Sequence, residues 1–314
     1  MKSISAYIIL ALFATSVFLT LLYFDHTRIV PSYIEQQIQH IKGAQVTFDE
    51  PIDVGSGLLV YVAGRILHTN DFDTFKLVQL IFLIGYLCTL YAITLSIKLT
   101  LLSVSYAPLL IDSFQAYTAI SICLYALALF FILQKKHVAG FALATPLMLV
   151  SQESFVFYVG VLLYYFFAEH SYKNFTSLIS YSKKHAPLIA LLITAVCVYL
   201  YSQYAFYGSP FANYIYNQTN PKTFEFPLTV YIVRVAIFFC IFATSLVLYR
   251  FNKLLFLINS LFFATYLYFA IFGYDYLFIA IQRFYSGLIM YSIIAIGFYL
   301  NIPMRRVRPE TITT

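Results

Sequence analysis

Tryptophan is absent from this 314-residue chain, cysteine occurs four times, and only 13 residues are acidic. Charged residues of all kinds make up 10% of the chain, against about a quarter in an ordinary soluble domain. That shortage excludes a soluble globular protein. Cys88, Cys123, Cys197 and Cys240 fall inside apolar runs with no paired ligand spacing, so they read as small packing residues rather than a zinc site or a disulfide framework. No glycine-rich phosphate loop is present, which leaves a nucleotide without its usual cradle. The net charge of +6 is spread over short segments instead of one stripe with interleaved aromatics, so nucleic acid is not a partner.

What is present is oil. Hydrophobic residues account for 61% of the chain, and mean hydropathy is +0.82. Ile4 to Phe24 form an apolar run of about 20 residues, long enough to cross a hydrocarbon core of roughly 30 Å. The run ends in "LLYFDHTR" without a small-residue cleavage site, which predicts an uncleaved first span. Apolar runs between polar breaks predict an all-α polytopic membrane bundle of about ten segments, at 4–24, 77–97, 99–111, 116–134, 138–150, 154–168, 186–206, 228–249, 254–272 and 284–301. The chain reads as one integral membrane domain over 1–314, with a cytoplasmic tail at 302–314.

With both termini cytoplasmic, Lys2, Lys98, "QKKH" at 134–137, the lysines of 172–185, "YRFNK" at 249–253 and "MRRVR" at 304–308 share one side. That side holds 12 of the 19 lysines and arginines, the positive-inside signature. Only Glu169 and Glu310 join them, so the other 11 acids collect on the outer side, where function is expected.

The first outer loop, 25–76, holds an acidic knot, "QVTFDEPIDVGSG" at 45–57, with Asp49, Glu50 and Asp53. Before it, Ile34, Ile38 and Ile41 mark one face of a short helix lying in the interface plane; after it, "GLLVYVAGRILH" at 57–68 reads as a second. A further outer segment, 206–227, contains the acceptor triplet "NQT" at 217–219, whereas "NFT" at 174–176 falls inside and is expected to stay unmodified. Segments 99–111 and 138–150 are too short to span. Either they stop part way beside a cavity with Asp112 and Glu153 near its wall, or they are pieces of two tilted longer helices.

Neighbouring carboxylates repel, which raises one of them toward the range of a general base. Arg283, in "QRFY" at the outer start of the last apolar run, has the planar fork that suits a phosphate, with Tyr285 placed to stack or hydrogen-bond beside it.

An N-terminal span, an acidic pair between interfacial helices, short broken helices and an "RY"-like element opening the last helix together resemble the GT-C glycosyltransferases. "FDE" at 48–50 is similar to the motif of protein O-mannosyltransferases, and "QRFY" at 282–285 to the terminal "RY" element. The resemblance implies a GT-C-like fold and a polyprenyl-phosphate-linked sugar as donor. It implies Asp49 as catalytic base, Glu50 as its supporting acid or a contact for a divalent cation such as Mg or Mn, and Arg283 as a donor-phosphate contact. The acceptor would be a lipid-linked glycan, another glycan or a protein, and the membrane the plasma membrane, or the endoplasmic reticulum in a eukaryote. "PIDVG" replaces the aromatic and histidine that follow "FDE" in the protein O-mannosyltransferases, which points away from transfer to Ser or Thr.

Two other classes remain open. A transporter or channel would place ionisable residues at mid-depth, where this chain offers only Arg234 and Asp112 toward the outer ends of their segments, and it shows no internal repeat. A non-catalytic assembly subunit would use the 29 tyrosines and 32 phenylalanines as packing surface.

Overall fold

The computed structural model describes residues 2–24, 30–46, 48, 54–104, 118–150, 154–169, 173–212, 242–271, 290–300 and 302, with single positions at 215, 232, 236, 239 and 240. Among these residues all regular secondary structure is helical, with no strand. The helices are α1 (Lys2–Phe24), α2 (Ser32–Ile41), α3 (Gly55–Leu67), α4 (Asp71–Thr94), α5 (Ile97–Val104), α6 (Thr118–Leu133), α7 (His137–Val150), α8 (Phe155–Ala168), α9 (Phe175–Lys184), α10 (Ala186–Tyr207), α11 (Leu248–Phe251), α12 (Lys253–Ile271) and α13 (Met290–Tyr299). Three of them, within α1, α4 and α10, are long and apolar enough to cross a membrane.

The stripe that α1 buries follows from its sequence. Ala6, Leu10, Ala14 and Phe18 recur every fourth residue and pack inward against α4, while Ile4, Ile8, Ile9 and Leu12 stay exposed. A helix that is apolar on both its packed and its exposed side fits lipid rather than water. The main core gathers Leu87 and Leu90 of α4, Ala126 and Leu129 of α6, Phe141 and Leu147 of α7, Phe157 of α8, Ile258 of α12 and Ile294 of α13. Small residues such as Ala119 and Ala126 let α6 lie close against α4. The Tyr125 and Tyr291 hydroxyls hydrogen-bond across α6 and α13. Tyr158 of α8 donates to the Phe141 carbonyl of α7 at 3.0 Å, so the two helices flanking residues 151–153 are tied together.

Two differences from the sequence expectation have local causes. The second long helix starts at Asp71, six residues before the apolar run, because Asn70 caps it: its side chain accepts from the Asp73 amide at 2.8 Å, and two aspartates sit in the positive first turn. The same helix stops at Leu95, which takes a left-handed conformation (φ 52°), and α5 begins two residues later. The segment 169–185 also holds a helix the hydropathy missed. Asn174 and Ser177 form a reciprocal capping box that starts α9, so the asparagine of "NFT" is engaged as a helix cap.

The two short helices expected around the acidic knot are both present. In α2, Ile34 and Ile38 are buried and Ile41 is half-buried. In α3, Gly55, Ser56, Gly57 and Val60 face the fold, while Leu58, Val62 and Ile66 leave an apolar stripe exposed. Helices α2, α3, the start of α4, and the last turns of α7 and α10 make up one end of the bundle, here called the acidic end. The basic end holds the start of α7, the end of α8, α9 and the start of α10.

Candidate functional site

Asp49, Glu50, Asp53, Asp112, Glu153, Arg283 and Tyr285, the residues assigned chemistry from the sequence, lie outside the described residues. The flanks of the acidic knot are described, and each is anchored. On the N-terminal side, the Phe48 ring meets Tyr207 edge-on at 4.8 Å and His40 at 5.4 Å, between the end of α2 and the end of α10. On the C-terminal side, Val54 is buried and Gly55 lies against α7. A Cβ on Gly55 would stand 2.7 Å from the Leu149 carbonyl oxygen, so only glycine allows this approach. Both flanks of the knot, Phe48 and Gly55, are therefore fixed at the acidic end, and Gly55 adjoins the last turn of α7.

Gln37 fastens the arrangement. Its side-chain oxygen accepts from the Gly57 amide at 3.1 Å, and its nitrogen donates to the Tyr207 hydroxyl at 3.2 Å. One buried amide thus joins α2, α3 and α10, and a Cβ on Gly57 would strike it at 2.5 Å. An exposed Lys42–Asp71 ion pair at 2.8 Å adds a tie between α2 and α4.

The structure adds residues that hydropathy passed over. Lys76 is 5% exposed, with Nζ 5.4 Å from the Phe72 ring centre and 5.5 Å from that of Phe75. Such cation–π placement offsets part of the cost of burying an ammonium. The apolar run counted from residue 77 left this lysine outside the helix, whereas the Asn70 cap puts it in the second turn. Ser56, Gln79, Ser154 and Gln203 are also buried, and the Ser56 and Ser154 hydroxyls and both amide atoms of Gln79 and of Gln203 have no hydrogen-bond partner among the described residues. Each such group costs about 1–3 kcal/mol. Their signal in the sequence was two glutamines inside apolar runs, at "KLVQLIF" and "LYSQYAF".

Ser56 lies between Gly55, which touches Leu149, and Gly57, which touches Gln37. Val78, next to Gln79, packs with Val150 and Leu59. Ser154 opens α8 four residues beyond Val150, and Gln203 is one turn before Tyr207 on the face of α10 that packs along α7.

Polar groups at the basic end are arranged differently. Glu169 accepts from Lys184 Nζ at 2.7 Å and lies 3.1 Å from His185 Nε2. Burial disfavours its charged form, but hydrogen bonds from Lys184 and His185 outweigh that and hold it below the usual carboxylate range. Tyr181 donates to the Leu162 carbonyl at 2.7 Å; burial, with the Glu169 charge adding, pushes its phenol up to about 12. The ring of Tyr165 stacks on His185 at 5.2 Å, and its hydroxyl hydrogen-bonds His137 at 2.8 Å.

Among the described residues, no group of three or more His, Cys, Asp or Glu side chains is placed to hold a metal. The carboxylates assigned to a divalent cation from the sequence lie outside them. Compared with protein-family models, with characterised proteins and with solved structures, the chain matches none.

Proposed function

We propose that the chain is an inverting glycosyltransferase of the GT-C kind, a polytopic membrane bundle with cytoplasmic termini, in the plasma membrane or endoplasmic reticulum. It transfers a hexose such as mannose from a polyprenyl-phosphate donor to a lipid-linked glycan or surface acceptor on the outer face. The observation that carries this reading is the anchoring of both flanks of the acidic knot, Phe48 and Gly55, against the ends of α10 and α7. A solvated surface pair of acids would need no such anchors.

In the proposed reaction, Asp49 takes the proton of an acceptor hydroxyl as its oxygen bonds to the anomeric carbon. The bond from that carbon to the phosphate oxygen breaks, its electron pair leaves on the polyprenyl phosphate, and the anomeric configuration inverts. Glu50 supports the base or contacts a divalent cation, with Asp53, Asp112 and Glu153 as further carboxylates near the site. Arg283 and Tyr285 face the departing phosphate in this scheme, where fixed positive charge lowers the barrier. Lys76, a buried cation at the same end, supports that role.

The test is transfer of label from polyprenyl-phosphate mannose and polyprenyl-phosphate glucose to a lipid-glycan extract by purified protein in liposomes. Wild type transfers, and Asp49→Asn loses about 100-fold or more of the rate with its thermal unfolding unchanged. Equal rates in the two proteins reject Asp49 as the base, and no transfer from either donor rejects this donor set.

A transport role is the second reading, favoured by Lys76 and Gln79 inside a helix able to cross a membrane. Flux of a water-soluble solute into liposomes, without sugar transfer, would select it.

A further inference from the structure

We propose that α9 is a binding surface for anionic phospholipid, fixing the basic end of the bundle to a negatively charged leaflet. The joint at its C-terminal end sets its depth. Helix α9 ends at Lys184, and α10, long and apolar enough to cross a membrane, starts at Ala186 with a single residue between them. That residue, His185, is buried, with its ring stacked on Tyr165 at 5.2 Å and 4.6 Å from the ring of Tyr181. A joint so short and so held keeps α9 at the level where α10 enters the bilayer.

Each side of α9 then has its own neighbour. Tyr181 faces the bundle, with its ring edge-on to Phe166 at 5.5 Å and its hydroxyl on the Leu162 carbonyl, so the helix lies alongside α8. At about 100° per residue, Phe175, Leu178 and Ile179 share another side, and they are 75%, 41% and 40% exposed. Lys183 stands at the edge of that stripe and Lys173 just before its first turn, both exposed. An apolar stripe edged by lysines is the pattern of a helix lying in the interface of an anionic membrane.

Charge complementarity selects the occupant. Lys98, just past the end of α4, lies at this end with Lys135, Lys136, Lys173, Lys183 and Lys184, and all six are exposed. Glu169, the only acid at this end among the described residues, is already bonded to Lys184 and His185. Lipid phosphates meet these ammonium groups while acyl chains cover Phe175, Leu178 and Ile179. A second copy placed stripe to stripe would instead bring like charges together, since α9 carries no acid. A soluble acidic partner would answer the lysines and leave the stripe uncovered. The inference holds for a transferase and a transporter alike and rests on neither.

The chain has no tryptophan, so Phe175→Trp places a single reporter on the stripe. The full-length variant is reconstituted in phosphatidylcholine liposomes that contain, at equal mole fraction, either brominated phosphatidylglycerol or brominated phosphatidylcholine. Both lipids are expected to quench the tryptophan, the anionic one about twofold more strongly or better, with the excess lost at high salt. Leu178→Trp, one turn along the same stripe, gives the same result. Adding Lys173→Gln and Lys183→Gln removes most of the excess, leaves quenching by the neutral lipid unchanged and does not lower the melting temperature. Equal quenching by the two lipids overturns the inference, because the stripe then rests in lipid without selecting its charge. An excess untouched by the two lysine substitutions overturns it as well. Quenching by neither lipid, with an emission that shifts as protein is diluted into more lipid, puts a second copy on the stripe and also overturns it.

Discussion

The two ends of the bundle treat buried polarity differently. At the basic end, Glu169, Lys184, His185, Tyr165 and His137 form one chain of hydrogen bonds and ring contacts that holds α7, α8, α9 and α10 together. At the acidic end, Gln37 is paired twice over, yet Gln79, Gln203, Ser56 and Ser154 are buried without partners among the described residues. Pairing marks polar groups that build the fold, and a buried amide left unpaired costs free energy until water or another partner reaches it. The acidic end is where the chemistry is expected.

Substitutions test that contrast. The largest effect on the fold is expected from Gly55→Ala, whose new Cβ meets the rigid backbone of α7. It should cost about 1–3 kcal/mol in unfolding measured in detergent and, by displacing the acidic knot, should abolish sugar transfer. Gln37→Leu comes next. It leaves the buried Gly57 amide without its acceptor and should lose about 1–2 kcal/mol, whereas Gln203→Leu should lose none; equal losses in the two would erase the distinction between a paired and an unpaired amide.

Glu169→Gln is the smallest. Because Glu169 titrates below the ordinary carboxylate range, its stabilisation is present at neutral pH and is lost as pH falls through that lowered value. The loss at neutral pH should be under about 1 kcal/mol, since Lys184 is largely exposed. Stability of the variant should change less than wild type between neutral and strongly acidic pH, as read by thermal melts across that range.

Much of this organisation was legible in the residues. The Ile34–Ile38 spacing announced α2 and its buried face, and "GLLVYVAGRILH" announced α3 with its exposed apolar stripe. Both are local patterns that any neighbouring structure must respect. The capped starts of α4 and α9 escaped because hydropathy weighs side chains and not caps: Asn70 and Asn174 recruit polar turns into helices that an apolar window leaves out. Lys76 was lost with one of those turns. Gln79 and Gln203 read as incidental polar residues, since a sequence carries no sign of whether an amide will find a partner. The pairing of Gly55 with Leu149 and of Gln37 with Tyr207 joins positions 94 and 170 residues apart, a distance no periodicity encodes. Asp49 and Arg283 lie outside the described residues, so their meeting rests on the transfer experiment.

Exposed apolar stripes occur on one short helix at each end: Leu58, Val62 and Ile66 on α3, and Phe175, Leu178 and Ile179 on α9. On the proposed membrane placement these helices float at opposite surfaces, while α7 and α8 between them have 14 residues each, about 21 Å of rise against a hydrocarbon core of roughly 30 Å. Tyr181 and Glu169 fix α9 to α8, so a float riding at one surface leaves the far end of α8 roughly 9 Å short of the other. The protein would then be a thickness gauge: a thinner bilayer brings the acidic end toward water, and a thicker one draws it deeper into oil.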